Sequence, residues 1–246
     1  MGVWTKFLFR IQCLMGRAFA FTTVPLIYLA IKIAGYRVNN LDIIRKEIKN
    51  LQKEHKGPWI ICANHLTMID SVLLAYAMYP LYNYLIHYRL IPWNIPERQN
   101  VNKIKVVAFL CYLFKCIPVI RGGNRKSVSR SLAKCHYVLQ KGESLMIFPE
   151  GTRSRTGFIN TDNLQYSVGR LVHNFPECRV LCIYMRGEGQ TTYSNFPKFK
   201  DNFSIYISSY KAKSNLKGLK AYRDCSMQII EKLMGMEKNH FDTRRQ

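Results

Sequence analysis

A histidine and an aspartate five residues apart, His65 and Asp70 in Cys62-Ala-Asn-His-Leu-Thr-Met-Ile-Asp70, supply a base and a carboxylate able to orient it. In an unbroken helix the two would stand about 140° apart around the axis, with about 7.5 Å of rise between them, and would not meet. Thr67-Met-Ile-Asp70, however, has the form of a helix start, with Thr67 as N-cap and Asp70 in the reciprocal position of a capping box. His65 then precedes the helix, and its ring can fold back onto the first turn. Two uses of Asp70 fit this arrangement. It can be a cap that favours the positive end of the helix, or it can fix one ring nitrogen of His65 so that the other takes a proton from a hydroxyl. The second use suits direct attack by a substrate hydroxyl on an activated acyl group, with no enzyme nucleophile.

A second constellation is Phe148-Pro-Glu-Gly-Thr-Arg-Ser-Arg155. Gly151 permits close backbone approach to a ligand, Thr152 offers a hydroxyl, and Arg153 and Arg155 can bind phosphate through several donors. Glu150 can hold one of the arginines in place. An ordinary surface turn with a Glu–Arg pair is the plain alternative. Arg121-Gly-Gly-Asn-Arg-Lys-Ser127 is a weaker candidate, an anion-binding turn between a strand and a helix or simply a solvated basic turn. The other histidines (55, 87, 136, 173 and 240) have no metal-ligand spacing, and no metal is expected. Neither Gly-x-Ser-x-Gly, nor Gly-x4-Gly-Lys-[Ser/Thr], nor His-Glu-x-x-His occurs, which sets aside a serine-esterase elbow, a P-loop and a zincin site.

These residues need a scaffold, and the hydrophobic pattern supplies one. WIICAN (59–64) is an apolar run between Gly57-Pro58 and a polar turn, which predicts a buried strand ending at His65. Further strands are predicted at 84–89, 116–121, 144–149, 180–185 and 203–210, with a helix marked by Leu41, Ile44, Ile48 and Leu51 that ends near Gly57-Pro58 and others at 71–79, 104–114, 125–141, 164–174 and 217–236. The sequence Cys116–Arg121, the helix closed by Gly142, and Ser144–Pro149 has βαβ order. The alternation predicts an α/β fold with a largely parallel central sheet flanked by helices. Ligands of such sheets bind at the carboxyl ends of strands, where this pattern places His65, Arg121 and Glu150.

With 246 residues, 48% of them hydrophobic, the chain can bury one sizeable core, and no linker divides it. The 8 cysteines are scattered without a Cys-x-x-Cys pair, which fits a reducing, cytosol-facing compartment. A net charge of +22, from 37 Lys and Arg against 15 Asp and Glu, predicts an anionic partner surface. No acidic residue precedes Asp42, and none lies between Glu97 and Glu143. Nucleic acid and anionic lipid both fit the charge alone. The N-terminus favours lipid. Trp4, Phe7, Leu8, Ile11, Leu14 and Met15 recur at helical spacing while Lys6, Arg10 and Arg17 fall mostly elsewhere, as in a basic amphipathic helix at a membrane interface. The uncharged run of 14 residues between Arg17 and Lys32 is shorter than the roughly 20 of a simple span. Residues 1–38 are therefore expected to form amphipathic and apolar membrane-anchoring helices, shallowly inserted, with residues 39–246 as the α/β domain. The alternative is a helical pair packed on the domain as part of its core.

Asn64-His65-Leu-Thr-Met-Ile-Asp70 resembles the His-x4-Asp motif of the lysophosphatidic acid (glycerolipid) acyltransferase family, and Phe148-Pro-Glu-Gly-Thr-Arg-Ser154 resembles that family's Phe-Pro-Glu-Gly-Thr-Arg-Ser motif residue for residue. Ile117-Pro-Val-Ile-Arg121 is similar to its intermediate motif, a strand ending in arginine, so that the resemblance covers about residues 57–187. It implies a membrane-docked N-terminal helical element on the cytoplasmic face and acyl transfer from acyl-CoA or acyl-ACP, with no further cofactor. The implied acceptor is a lysophospholipid, above all 1-acylglycerol-3-phosphate giving phosphatidic acid. It assigns His65 as general base, Asp70 as its orienting partner, and Arg121, Glu150, Gly151, Thr152 and Arg153 to the acceptor phosphate. Backbone donors near Thr67 are the candidates for the oxyanion. The strand Val180–Gly187 lacks the proline that the family's last motif carries. Another lyso-acceptor, such as a lyso-ornithine lipid, therefore stays open. The rival from a different class is a non-catalytic basic module on anionic membranes or nucleic acid, although the apolar N-terminus makes nucleic acid an unexpected partner.

Overall fold

The computed structural model describes residues 2–120, 124–161, 164 and 166–245. The chain begins with helix α1 (Val3–Ile33), forms strand β1 (Arg37–Val38) and returns in α2 (Leu41–Glu54). Strand β2 (Trp59–Ala63) leads through the His65 segment into α3 (Asp70–Met78) and α4 (Leu81–Ile86), followed by a single 3-10 turn, β3 (Trp93–Asn94), α5 (Arg98–Asn102) and α6 (Lys105–Leu113). The second half runs through α7 (Arg125–Gln140), β4 (Leu145–Ile147), α8 (Tyr166–Asn174), β5 (Arg179–Gly187), β6 (Asn202–Tyr210) and α9 (Leu219–Arg245).

The strands form one sheet in the order β1-β6-β5-β2-β4-β3. Every pairing is parallel except β5 with β6. All five residues of β2 are buried, as expected of a parallel strand covered on both faces. Trp59, Ile61 and Ala63 pack with Val24, Ile48 and Leu74 from α1, α2 and α3. Ile60 and Cys62 join Val138, Leu171 and Ile229 from α7, α8 and α9 on the other side. The chain reaches β4 on one side of β2 and then crosses to β5 on the other. The carboxyl end of β2 is thus a topological switch point, where open α/β sheets bind ligands.

Three expectations need correction. Residues 84–89 are not a strand: Tyr84 and Tyr88, four residues apart, are both buried by helical geometry, in α4 and the 3-10 turn after it. Residues 116–120 are extended and bridge Asn94 and Glu97 of the β3 segment, but they do not make a full strand. Pro118 lacks the N–H that a ladder needs, and Lys115, at φ 54°, turns the chain sharply just before. Last, the N-terminal segment is one continuous helix of 31 residues rather than a pair. Its buried side, Phe9, Gln12, Gly16, Ala20, Val24, Tyr28 and Ile31, recurs every three or four residues along nearly its whole length and packs on the domain. Gly16 makes the closest approach, since a Cβ there would overlap the Tyr88 hydroxyl and the Leu113 carbonyl.

Candidate active site

His65 lies two residues beyond β2, and α3 begins at Asp70, so the chain must turn within the segment between them. Asp70 makes that turn. Its Oδ2 accepts hydrogen bonds from Leu66 N (2.6 Å) and Thr67 N (2.8 Å), and its Oδ1 accepts one from the Thr67 hydroxyl. The carboxylate reaches back to Thr67 N as it would in a capping box, but the N-cap of α3 is Ile69 and not Thr67 as expected, because the Thr67–Asp70 bonds close a turn ahead of the helix instead of capping its backbone. The same Oδ2 lies 2.9 Å from His65 Nδ1. The side chain that closes this turn and the partner that orients His65 are therefore one, and Asp70 is only 1% exposed.

The His65 ring stacks on Phe148 at 4.0 Å between centroids and 17° between planes. With Nδ1 donating to Asp70, Nε2 carries the lone pair. No described residue bonds Nε2, and His65 borders a cavity of about 610 Å³. Met68, Gly151, Arg153 and Asn195 line that cavity together with the apolar side chains of Val107, Ile120, Leu132, Ile147 and Leu171. A base, a cation and a set of apolar side chains thus share one cavity.

Behind the base, a chain of contacts fixes the backbone. Asn64 donates from Nδ2 to Met185 O (2.9 Å) and accepts from Met185 N (2.8 Å), clamping the end of β2 to β5. Glu150, after β4, accepts from His65 N at 2.7 Å and from Asn160 N at 3.1 Å. Burial raises its carboxyl to about 8, against these two N–H bonds that favour the anion. The turn that carries Asn160 is tied to α9, because Glu237 accepts from Ile159 N. Arg186 donates to Gly157 O and packs between Phe158 and Phe241.

The structure redistributes the expected roles. His65, Asp70, Gly151 and Arg153 come together. Glu150 is brought to the same place but holds no described arginine; being 1% exposed, it braces His65 from below instead of facing a ligand. Arg121 lies outside the described residues. Thr152 is exposed beside Gly151, whose φ of 72° gives the turn its left-handed bend. Of the backbone donors proposed near Thr67, three are already engaged: Leu66 N and Thr67 N bond Asp70, and Met68 N bonds Asn195 O (2.9 Å). At the turn after β4, Thr152 N and Arg153 N meet no described acceptor. Asn195 and Tyr193 were not foreseen. Asn195 Oδ1 accepts from Arg153 Nη1 at 2.8 Å, and the Tyr193 ring lies under Arg153 (5.2 Å) and Arg155 (5.7 Å). They belong to the segment after β5, for which the sequence offers only the missing proline of the preceding strand, Val180–Gly187.

A family model described as Acyltransferase matches residues 37–186, a span that begins at β1 and ends in β5 and encloses both motifs. Comparison with curated proteins gives no match.

Proposed function

This chain belongs to the lysophosphatidic acid and glycerolipid acyltransferase family, and we propose that it transfers a fatty acyl group from acyl-CoA or acyl-ACP to the free hydroxyl of a lysophospholipid, 1-acylglycerol-3-phosphate in the first place. One observation carries the reading. His65 is held at Nδ1 by a buried carboxylate while its ring borders a cavity that Arg153 and a set of apolar side chains also line.

In the proposed reaction the acceptor hydroxyl gives its proton to His65 Nε2 as its oxygen attacks the thioester carbonyl. Asp70 keeps the ring in the Nδ1–H tautomer and stabilises the imidazolium. When the C–S bond breaks, the imidazolium returns its proton to the departing thiolate. The acyl chain occupies the space between α6, α7 and α8, where Val107, Leu132 and Leu171 line the cavity. The acceptor phosphate sits at the turn after β4, with Arg153 and the backbone N–H groups of Thr152 and Arg153 as donors. Arg121 is assigned to the same phosphate by its motif.

Membrane association follows from α1. By length and composition the helix could cross a bilayer. Its domain-facing side is nevertheless packed from Phe9 to Ile31, so a helix lying in the interface is the arrangement that keeps the domain attached. Trp4, Phe7, Leu8, Leu14, Phe21, Leu26 and Leu29 are exposed along it and would enter the lipid of a cytoplasmic-face, anionic surface.

The test is a panel of lysolipid acceptors assayed with the purified protein and with Arg153→Ala. Loss of a bidentate phosphate contact should raise KM for lysophosphatidic acid about ten- to a hundredfold and leave a zwitterionic lysolipid nearly unaffected. Equal effects on both acceptors would remove Arg153 from the phosphate site. A preference for an amine-bearing lysolipid over lysophosphatidic acid would reassign the acceptor.

A further inference from the structure

α6 is apolar on two opposite sides. Val107 and Cys111 border the cavity, and Ile104, just before the helix, both borders it and is 59% exposed. Val106 (66% exposed), Phe109 (48%) and Leu110 do not line the cavity and are open to solvent. A helix that is hydrophobic all round belongs in a protein core or in lipid. α6 is also joined to α1: the rings of Phe19 and Phe109 meet edge-on at 6.0 Å and 83°. The exposed apolar side of α1 therefore continues onto α6 as one surface of large side chains, larger than soluble surfaces ordinarily leave bare. Its rim is basic. Lys103 and Lys105 are exposed at the start of α6, Arg10 and Arg17 are exposed on α1, and no acidic residue falls between Glu97 and Glu143.

We propose that α6 is a second bilayer-contacting helix and forms the lateral entrance of the cavity, so that an acyl chain passes from an anionic bilayer to the vicinity of His65 without crossing water. The inference rests on the acyl-transfer reading for what uses the entrance, but the bilayer contact itself can be tested without turnover. Anionic lipid is the occupant because an apolar patch ringed by cations matches a hydrocarbon layer under anionic headgroups. The wall of the cavity and the outer apolar surface are then two sides of the same nine-residue helix.

The experiment places one tryptophan at position 109 (Phe109→Trp) in a Trp4→Phe background and adds vesicles of phosphatidylcholine and phosphatidylglycerol with brominated or unbrominated chains. Trp59 (5% exposed) and Trp93 (1%) are shielded by the protein. Bromination should quench the emission of the Phe109→Trp protein well beyond that of the Trp4→Phe parent. Val106→Glu with Phe109→Glu should weaken vesicle binding about tenfold or more, while transfer to a lysolipid in detergent micelles stays within about twofold. Unquenched emission from vesicle-bound protein would overturn the proposal, and so would wild-type affinity in the glutamate variant. Shielding of position 109 by self-association in lipid-free solution, seen by sedimentation, would assign the face to a second copy instead. If no lysolipid accepts an acyl group, quenching still decides the bilayer contact, and only the acyl-transfer reading fails.

Discussion

Replacing Asp70 by asparagine separates the two uses of this residue. The amide oxygen can take the place of Oδ2, which receives Leu66 N, Thr67 N and His65 Nδ1, and the amide nitrogen can face the Thr67 hydroxyl, which rotates to accept. Shape and partners survive, and the charge is lost. Hydrogen bonds to a charged group are worth roughly 1.5–3 kcal/mol against roughly 0.5–1.5 for neutral ones, so three weakened N–H bonds cost about 3 kcal/mol of stability. For a chain of this size that lowers Tm by roughly 6–12 °C. The catalytic cost is separate. With about 4 Å between carboxylate and imidazolium and an effective dielectric near 20, the lost attraction is about 4 kcal/mol, or about a thousandfold in kcat. The assay is acyl transfer to lysophosphatidic acid well below the variant's Tm, with circular dichroism melting beside it. A Thr67→Val variant, which removes one bond to Oδ1 and leaves His65 its partner, should lose stability but little turnover. Turnover of Asp70→Asn within about threefold of wild type, together with the lower Tm, would refute the orienting role and leave Asp70 as the residue that closes the turn.

Glu150 predicts an unusual pH dependence. Its folded carboxyl titrates near 8 against an ordinary 4.5, so between these values the folded protein holds a proton that the unfolded chain has released. Stability therefore falls as pH rises through this window, by at most about 5 kcal/mol once pH exceeds 8. Glu150→Gln should flatten the plot of Tm against pH between 5 and 9, and parallel plots for the two proteins would contradict this account. Gly16→Ala should lower stability by about 1–3 kcal/mol, because the added methyl meets Tyr88 and Leu113 and must push α1 outward; thermal melting reads it directly. Leu132→Phe should shift the preferred donor toward shorter acyl chains, by about fourfold in kcat/KM for each methylene excluded from the cavity, measured by competition between acyl-CoAs.

The parts legible in the sequence are those where local and global physics agree. WIICA reads as a buried parallel strand because both of its faces are covered, and His65 follows it by position alone. The approach of His65 to Asp70 was legible because the Thr67-x-x-Asp70 pattern placed the helix start after the histidine, although the helix begins at Asp70 with Ile69, not Thr67, as its N-cap. Residues 84–89 were misread because a short run of aromatic and aliphatic residues fits a strand as well as a helix, and only packing against α1 decides. Glu150 was misassigned because arginines lie close to it in sequence, whereas its partner in space, His65 N, comes from the turn that follows the adjacent strand β2. Asn195 was invisible for the same reason, since its contacts to Met68 and Arg153 span more than forty residues. The continuity of α1 was obscured by Pro25 and by the interrupted apolar run, which packing on the domain overrides.

The most direct test of the central claim is transfer of a labelled acyl group from acyl-CoA to 1-acylglycerol-3-phosphate in phosphatidylglycerol vesicles, comparing the wild type with His65→Ala. We expect labelled phosphatidic acid from the wild type and a loss of about 10²–10⁴ in rate for the variant, with its melting curve unchanged. Wild-type turnover by the folded His65→Ala protein would contradict the account, because the proton of the acceptor hydroxyl would then have to leave by another base.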